Sequence, residues 1–339
     1  MSDRKTIQDV ARLAGVSEAT VSRVLNNSAG VSIAKRERVL AATRTLRFRP
    51  NAQARLLAGG RPNAVLLVHP MIDTPLTWYF HLLEAGALRG CARHGFQLQP
   101  HFVFPDSTAR EARVMKPILA GECIGVILAA PFSDDPKLIA AIRARQMPVA
   151  LVASGGAARG LASGIGMDDE RAGYEMAAYL LQQGHRRFGF SLGLPDHLSA
   201  QERFAGARRA MAEQGLGAEH VVEAQGALNF DGGYRAFQRI SASAFRPTAL
   251  ICANDESAAG AIHAAHEQSL SLPADLSIAA FDNAPFAPLL SPPLTTMSQG
   301  IDTMAARAVD ILADAIKGIN RSYEMTRPRL VIRQSTAAV

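Results

Sequence analysis

From Asn63 onward the chain alternates short apolar runs with amphipathic stretches. The runs are Ala64 to Val68, Gly125 to Ala129, Val149 to Ala153, Arg187 to Leu192, Ala249 to Ala253 and Ser277 to Phe281. Runs of this length between helical segments such as Tyr79 to His94, Arg171 to Gln183 and Ala200 to Gln214 predict buried parallel strands with crossover helices. Before Asn63 the spacing is purely helical. Thr6 and Asp9 form a capping-box pattern ahead of Ile7, Val10, Ala11 and Ala14, and Gly15 ends that helix. Ser17 is placed to cap a second helix to Leu25, and Ser32 a third with Val39, Leu40, Thr43 and Leu46 on one side. Pro50, a seven-residue stretch from Asn51 to Leu57, and Ala58-Gly59-Gly60-Arg61-Pro62 then read as a connecting segment.

Charge divides along the same boundary. Residues 1–62 hold 12 Lys and Arg against 4 Asp and Glu, while the rest holds 24 against 26, so the whole net charge of +6 comes from the head. A small basic unit on a near-neutral body suits a polyanion-binding head. The longest apolar stretch, Ile124 to Phe132, is far short of the roughly 20 residues of a membrane span. With a polar N-terminus and three dispersed cysteines lacking CxxC spacing, a cytoplasmic protein with no membrane association, metal or cofactor is expected.

Two helices joined at Gly15-Val16-Ser17 fit a helix-turn-helix, whose second helix must face the protein on one side and the DNA groove on the other. Val21, Val24 and Leu25 share one face, leaving Glu18, Ala19, Ser22, Arg23 and Asn26 on the others. Arg23 can fork onto guanine, Glu18 can accept from cytosine, and Ala19 can meet a thymine methyl. Ser17, Thr20, Ser22 and Asn26 suit phosphate contacts. The cap residue Thr6 is counted with this DNA-binding set.

The segments Thr6 to Ala11, Ala14 to Ser17, Ala19 to Asn26, Val31-Ser32 and Arg47 to Asn51 resemble the LacI/GalR family of bacterial repressors. The resemblance implies that Glu18 and Ala19 set operator preference and that Arg23 is a general base contact. It makes Asn51 to Leu57 a hinge helix, too short to be stable alone, that pairs in a homodimer and enters the minor groove. Leu57 is the expected wedge, Leu56 the alternative, and Ala54 packs one turn back. Such pairing implies a near-palindromic double-stranded operator. The simpler alternative has both leucines docking the linker on the body.

In the body, Ala249 to Ala253 leads into Asn254-Asp255 and Ser277 to Phe281 into Asp282-Asn283, at the carboxyl ends of strands where open sheets bind ligands. Asn254 fits a ligand contact and a helix cap equally, whereas Asp282 has no helix to cap. The family likeness continues through Leu272 to Asp275 and Pro293 to Thr296. It implies a cleft between two periplasmic-binding-protein-like subdomains, with Arg203 as the cleft arginine, although its helical context alone reads as surface charge. Tyr79 and Phe80 would line the cleft from one side and His197, Ser199 and Leu228 from the other, with the two aromatics equally suited to the core. Many relatives carry an aspartate where this chain has Ala153, so the ligand is left at a polar, ring-shaped molecule, with a sugar or glycoside expected and a purine-type corepressor as the alternative.

The expected organisation is an all-α head over residues 1–49, a hinge and linker over 50–62, and an α/β core over 63–339. The core would comprise two doubly wound parallel-sheet subdomains, about 63–167 with 298–327 and 168–297 with 328–339. Gly189-Phe190-Ser191-Leu192-Gly193 also matches the GxSxG nucleophile pattern, but Pro195 and a polar loop follow where a hydrolase needs a helix to start. A transport solute-binding protein would share the body but not the basic head. The reading is a non-enzymatic, effector-controlled repressor of a carbohydrate-utilisation operon.

Overall fold

The computed structural model describes residues 6–25, 30–46, 62–71, 78–104 and 108–339. Expectations for Asn26, Asn51, Ala54, Leu56 and Leu57 lie outside them. The chain divides into two compact units, Met1–Pro62 and Asn63–Val339.

The first unit contains helices α1 (Ile7–Ala14), α2 (Glu18–Leu25) and α3 (Ile33–Thr45). Thr6 Oγ1 accepts from the Asp9 amide at 3.3 Å while Asp9 Oδ2 accepts from the Thr6 amide at 2.9 Å, so both orphan donors are satisfied reciprocally. Gly15 closes α1 in the left-handed conformation at φ 62°. Val10, Ala11, Ala14, Val21, Val24, Val39 and Ala42 form the small core. Two expectations are corrected. Ser32 occupies the cap position of α3 but its side chain makes no capping hydrogen bond, and Leu40 is 41% exposed because the buried stripe of α3 runs through Val39 and Ala42.

The second unit holds two six-stranded sheets. One is built from β1 (Ala64–Pro70), β2 (Gln97–Val103), β3 (Gly125–Ala129), β4 (Val149–Val152), β5 (Gly164–Met167) and β11 (Glu324–Thr326), in the order β11-β5-β4-β3-β1-β2, all parallel. The other is built from β6 (Phe188–Leu192), β7 (Val221–Gln225), β8 (Ala249–Cys252), β9 (Ser277–Asp282), β10 (Thr295–Ser298) and β12 (Arg329–Val331), in the order β12-β10-β9-β8-β6-β7. Only β12 runs antiparallel to its neighbour. Every apolar run predicted as a strand is one. The unpredicted strands are short, glycine-bearing or, like β2 with its internal Pro100, polar sheet edges.

Helices cover both faces of each sheet, as period-two burial demands. In the first lobe, Val65 and Leu67 face α4 (Trp78–His94) and α11 (Ile301–Ile316), while Leu66 and Val68 face α5 (Arg110–Leu119) and α6 (Pro136–Ala144). In the second, Phe188, Phe190, Ile251 and Phe281 face α7 (Asp169–Gln182) and α8 (Leu198–Ala212), and Leu250 and Ile278 face α9 (Phe230–Ala242) and α10 (Asp255–Glu267). The chain passes between lobes three times, after β5, after β10 and after β11. Helices α7 and α8 cross through Gly173 and Gly206. A Cβ on Gly173 would lie 1.7 Å from the Arg203 carbonyl oxygen, and one on Gly206 1.8 Å from that of Glu170. This crossing brings the start of α7 against Arg203.

Candidate functional site

The outward face of α2 is as the sequence placed it. Val21 and Val24 are buried, whereas Ser17, Glu18, Ala19 and Arg23 are exposed and Thr20 and Ser22 half-buried. Ser17 Oγ accepts from the Thr20 amide at 3.2 Å and lies 2.9 Å from Thr20 Oγ1, which fixes the first turn of the helix. A rigid short helix with an arginine and a carboxylate on its free side can read base edges in a major groove.

In the core, polar side chains converge at the carboxyl ends of β8 and β9. Arg203 is 4% exposed, so the surface-charge reading of this residue is wrong. Its Nε donates to Asp169 Oδ1 at 2.8 Å, its Nη1 donates to the Ala253 carbonyl at 3.0 Å, and its guanidinium lies 5.0 Å over the Phe281 ring. Asp282, with Oδ1 3.9 Å from Arg203 Nη1, also accepts from Gln299 Nε2. Burial pushes the Asp282 carboxyl up to about 7, with Arg203 and Gln299 pulling the other way. Tyr79 comes from α4 in the opposite lobe. Burial first, then the field of Asp282, raises its phenol above the ordinary range, against the pull of Arg203.

The turn that carries Asp282 is unusual. Asp282 and Asn283 have φ of 123° and 57°, in the region that side-chain-bearing residues rarely adopt. Buried Asp255 holds this turn, its Oδ2 accepting from the Ala284 amide at 2.7 Å and its Oδ1 from the Thr296 hydroxyl at 2.5 Å. Thr296 Oγ1 accepts from the Asn283 amide at 3.2 Å, and Arg333 donates to Asn283 Oδ1 at 2.6 Å.

The remaining residues expected at the cleft make contacts within the protein. Asn254 caps α10, with Oδ1 accepting from the Ser257 amide at 3.0 Å and Nδ2 donating to the Leu228 carbonyl at 3.1 Å. Phe80 stacks on His69 with centroids 5.0 Å apart and belongs to the packing of the first lobe. His197 caps α8 through Nδ1, which accepts from the Ala200 amide at 3.3 Å, and burial with nearby Arg203 lowers its pKa to about 4. Ser199 Oγ donates across the lobes to the Ala153 carbonyl at 3.5 Å, and Leu228 is half-buried against the second-lobe core. Ala153 is itself left-handed at φ 55°.

The sequence reading missed Asp169, Gln299, Arg159, Glu202 and Trp78. Asp169 and Gln299 follow β5 and β10, so the strand-end rule finds them once those four-residue strands are recognised. A shallow depression of about 380 Å³ on the outer side of α7 and α8 is lined by Asp168, Glu170, Arg171, Tyr174, Glu175 and Arg209. Its charges pair with one another, as in Arg171 with Glu175 at 2.6 Å. Among the described residues no group of His, Cys, Asp and Glu is arranged to hold a metal, and no helix is long and apolar enough to cross a membrane.

Residues 6–51 match the lacI family of bacterial regulatory proteins, and residues 177–336 match the periplasmic binding protein-like domain. The chain is 31% identical to the HTH-type transcriptional repressor PurR of Klebsiella pneumoniae (strain 342), over 98% of this chain and 97% of that one. It belongs to the LacI family. Among solved structures it is similar to the lac repressor dimer bound to operator and the anti-inducer ONPF, with TM-score 0.82, 26% identity and coverage of 99% and 100%. The complex of the transcriptional regulator CelR with cellobiose gives TM-score 0.74 and 26% identity over 98% and 100% of the two chains.

As a LacI-family protein the chain is a cytoplasmic DNA-binding transcription regulator with an effector domain, and not an enzyme. The local geometry around Ser191 agrees. This serine lies inside β6, buried, and α8 begins only at Leu198, so no strand-to-helix elbow presents it.

Proposed function

We propose that this regulator is a homodimeric repressor of a carbohydrate-utilisation operon that reads a near-palindromic operator with α2 and answers to a neutral sugar or glycoside held between the lobes of its core. The observation that carries the ligand reading is the convergence of Arg203 and Asp282 from one lobe with Tyr79 from the other. A carboxylate, a guanidinium and an aromatic ring are the groups that grip vicinal hydroxyls and cover a sugar face. Charge favours a neutral ligand. Asp134, Asp169, Glu202 and Asp282 outnumber Arg159 and Arg203 here, and burial pushes three of these acids up, Asp134 to about 6, Asp282 to about 7 and Asp169 in the same direction. A phosphate or carboxylate on the ligand would bring a further negative charge to a buried site where acids already outnumber arginines, whereas their protonated and ionised forms alike can hydrogen-bond a neutral hydroxyl. The lac repressor dimer on its operator and CelR with cellobiose support the same reading.

On the DNA side, Arg23 and Glu18 contact base edges, Ala19 meets a methyl group, and Ser17, Thr20 and Ser22 contact phosphates. A ligand that binds one lobe orientation better shifts the equilibrium between orientations and so changes the affinity for operator. The test is a titration of the full chain onto an operator selected from random DNA, at fixed salt, against cellobiose, other sugars and glycosides, and purine bases. A sugar should change operator affinity by about tenfold or more, within the usual range of allosteric coupling. A response to purines alone would replace the sugar reading, and failure to select any DNA would remove the operator reading.

A further inference from the structure

Besides the groups that face the ligand, a charged contact joins the two lobes directly. Glu202, on the first turns of α8 in the second lobe, reaches the loop after β4 in the first. Its Oε1 accepts from the Gly156 amide at 2.8 Å and its Oε2 from Arg159 Nη2 at 2.5 Å. Arg159 is aimed by its own loop, because its Nε donates to the Ser154 carbonyl at 2.8 Å. The two side chains are 21% and 22% exposed, so water screens the pair only in part. The loop approaches α8 closely because residue 155 is glycine. A Cβ there would lie 2.4 Å from that of Leu198.

A second contact between the lobes is apolar. Trp78, opening α4, meets Phe286 of the second lobe edge-on, with ring centroids 6.2 Å apart. Its indole Nε1 is buried with no hydrogen-bond acceptor among the described residues.

We propose that Glu202 and Arg159 form a latch that holds the cleft closed before any ligand arrives. Each bond in it joins one lobe to the other, so all are lost together when the lobes part. A contact made only in the closed form shifts the closed population by its own worth, and a ligand that binds the closed form then gains apparent affinity. Glu202 is therefore a positioning residue, acting through lobe geometry and not by touching the ligand. The inference does not depend on which ligand the cleft takes.

The chain contains one tryptophan, Trp78, so its fluorescence reports on the cleft in the ligand-free, full-length protein. Glu202→Gln keeps the size of the side chain and removes its charge. The open-to-closed ratio should rise about tenfold, the worth of a charge-assisted hydrogen bond. The readouts are a red-shifted emission, stronger acrylamide quenching and a larger radius of gyration by small-angle X-ray scattering. The charge swap Arg159→Glu with Glu202→Arg should move all three back toward wild type. Wild-type emission and quenching in Glu202→Gln would overturn the latch. So would a shifted single variant that the swap fails to move back, since that pattern marks lost packing.

Discussion

Arg23 and Arg203 are the same side chain in opposite surroundings. Arg23 stands exposed on α2 beside a core of seven small apolar residues, whereas Arg203 is 4% exposed, bound to Asp169 and Ala253 and stacked over Phe281. The head leaves this charge in water. The core takes its charges out of water, where each must find partners within the protein. Function in the head is accordingly cheap in stability, and function in the cleft is tied to it.

The sharpest test of that contrast is Asp169→Ala. It leaves the buried Arg203 guanidinium without its carboxylate, and chemical denaturation of the core should register a loss of about 3–5 kcal/mol. A loss below 1 kcal/mol would mean that water reaches Arg203 and that the cleft resembles the head in kind. Next comes Gly206→Ala. With the added Cβ 1.8 Å from the Glu170 carbonyl, α7 and α8 must separate, at a cost of about 1–3 kcal/mol. The same separation moves Arg203 away from Asp169, so ligand binding should weaken along with thermal stability.

Arg23→Ala examines the head. As an exposed side chain it should change the unfolding free energy by no more than about 0.5 kcal/mol, yet cost about 1–3 kcal/mol of operator affinity at one base pair. Binding titrations on operators varied at single positions separate the outcomes. Equal weakening on every sequence would make Arg23 a phosphate contact.

The same contrast explains what could be read in advance. The faces of α2 follow from 3.6-residue spacing within eight residues, so Val21 and Val24 inward and Glu18 and Arg23 outward were legible in the sequence. The strands were legible where they form apolar runs, and Asp282 stood out at the end of one. Arg203 was not legible from its own neighbourhood, because its partners Asp169 and Ala253 lie 34 and 50 residues away. Asn254 shows the converse. Its surroundings allowed a cap or a ligand contact, and the structure commits its amide to Ser257 and the Leu228 carbonyl. Local periodicity carries surface function well, whereas pairing over long sequence separation, set by which strands are neighbours, carries the cleft.

The smallest net effect concerns pH, because the buried groups of the cleft act in opposite directions. Asp282, held near 7 in the folded protein, keeps its proton after an unfolded aspartate has lost its own near 4. Its contribution to stability is full below about pH 4 and falls as pH rises to about 7. Asp134, near 6, acts in the same sense over a narrower window. His197, lowered to about 4, does the reverse, since the unfolded imidazole binds a proton from about pH 6.5 downward while the folded one stays neutral. Between pH 4 and 6.5 these slopes oppose one another, while Asp169 and Asp255, which burial also raises, act in the same sense as Asp282. Asp282→Asn should therefore be more stable relative to wild type at pH 8 than at pH 5, as followed by melting temperature. His197→Gln should show the opposite ordering, losing ground to wild type as pH rises from 4.5 to 6.5. If Asp282→Asn tracks wild type at a constant offset across that range, the carboxylate titrates as it would in water, and the cleft stands open in solution as the face of α2 does.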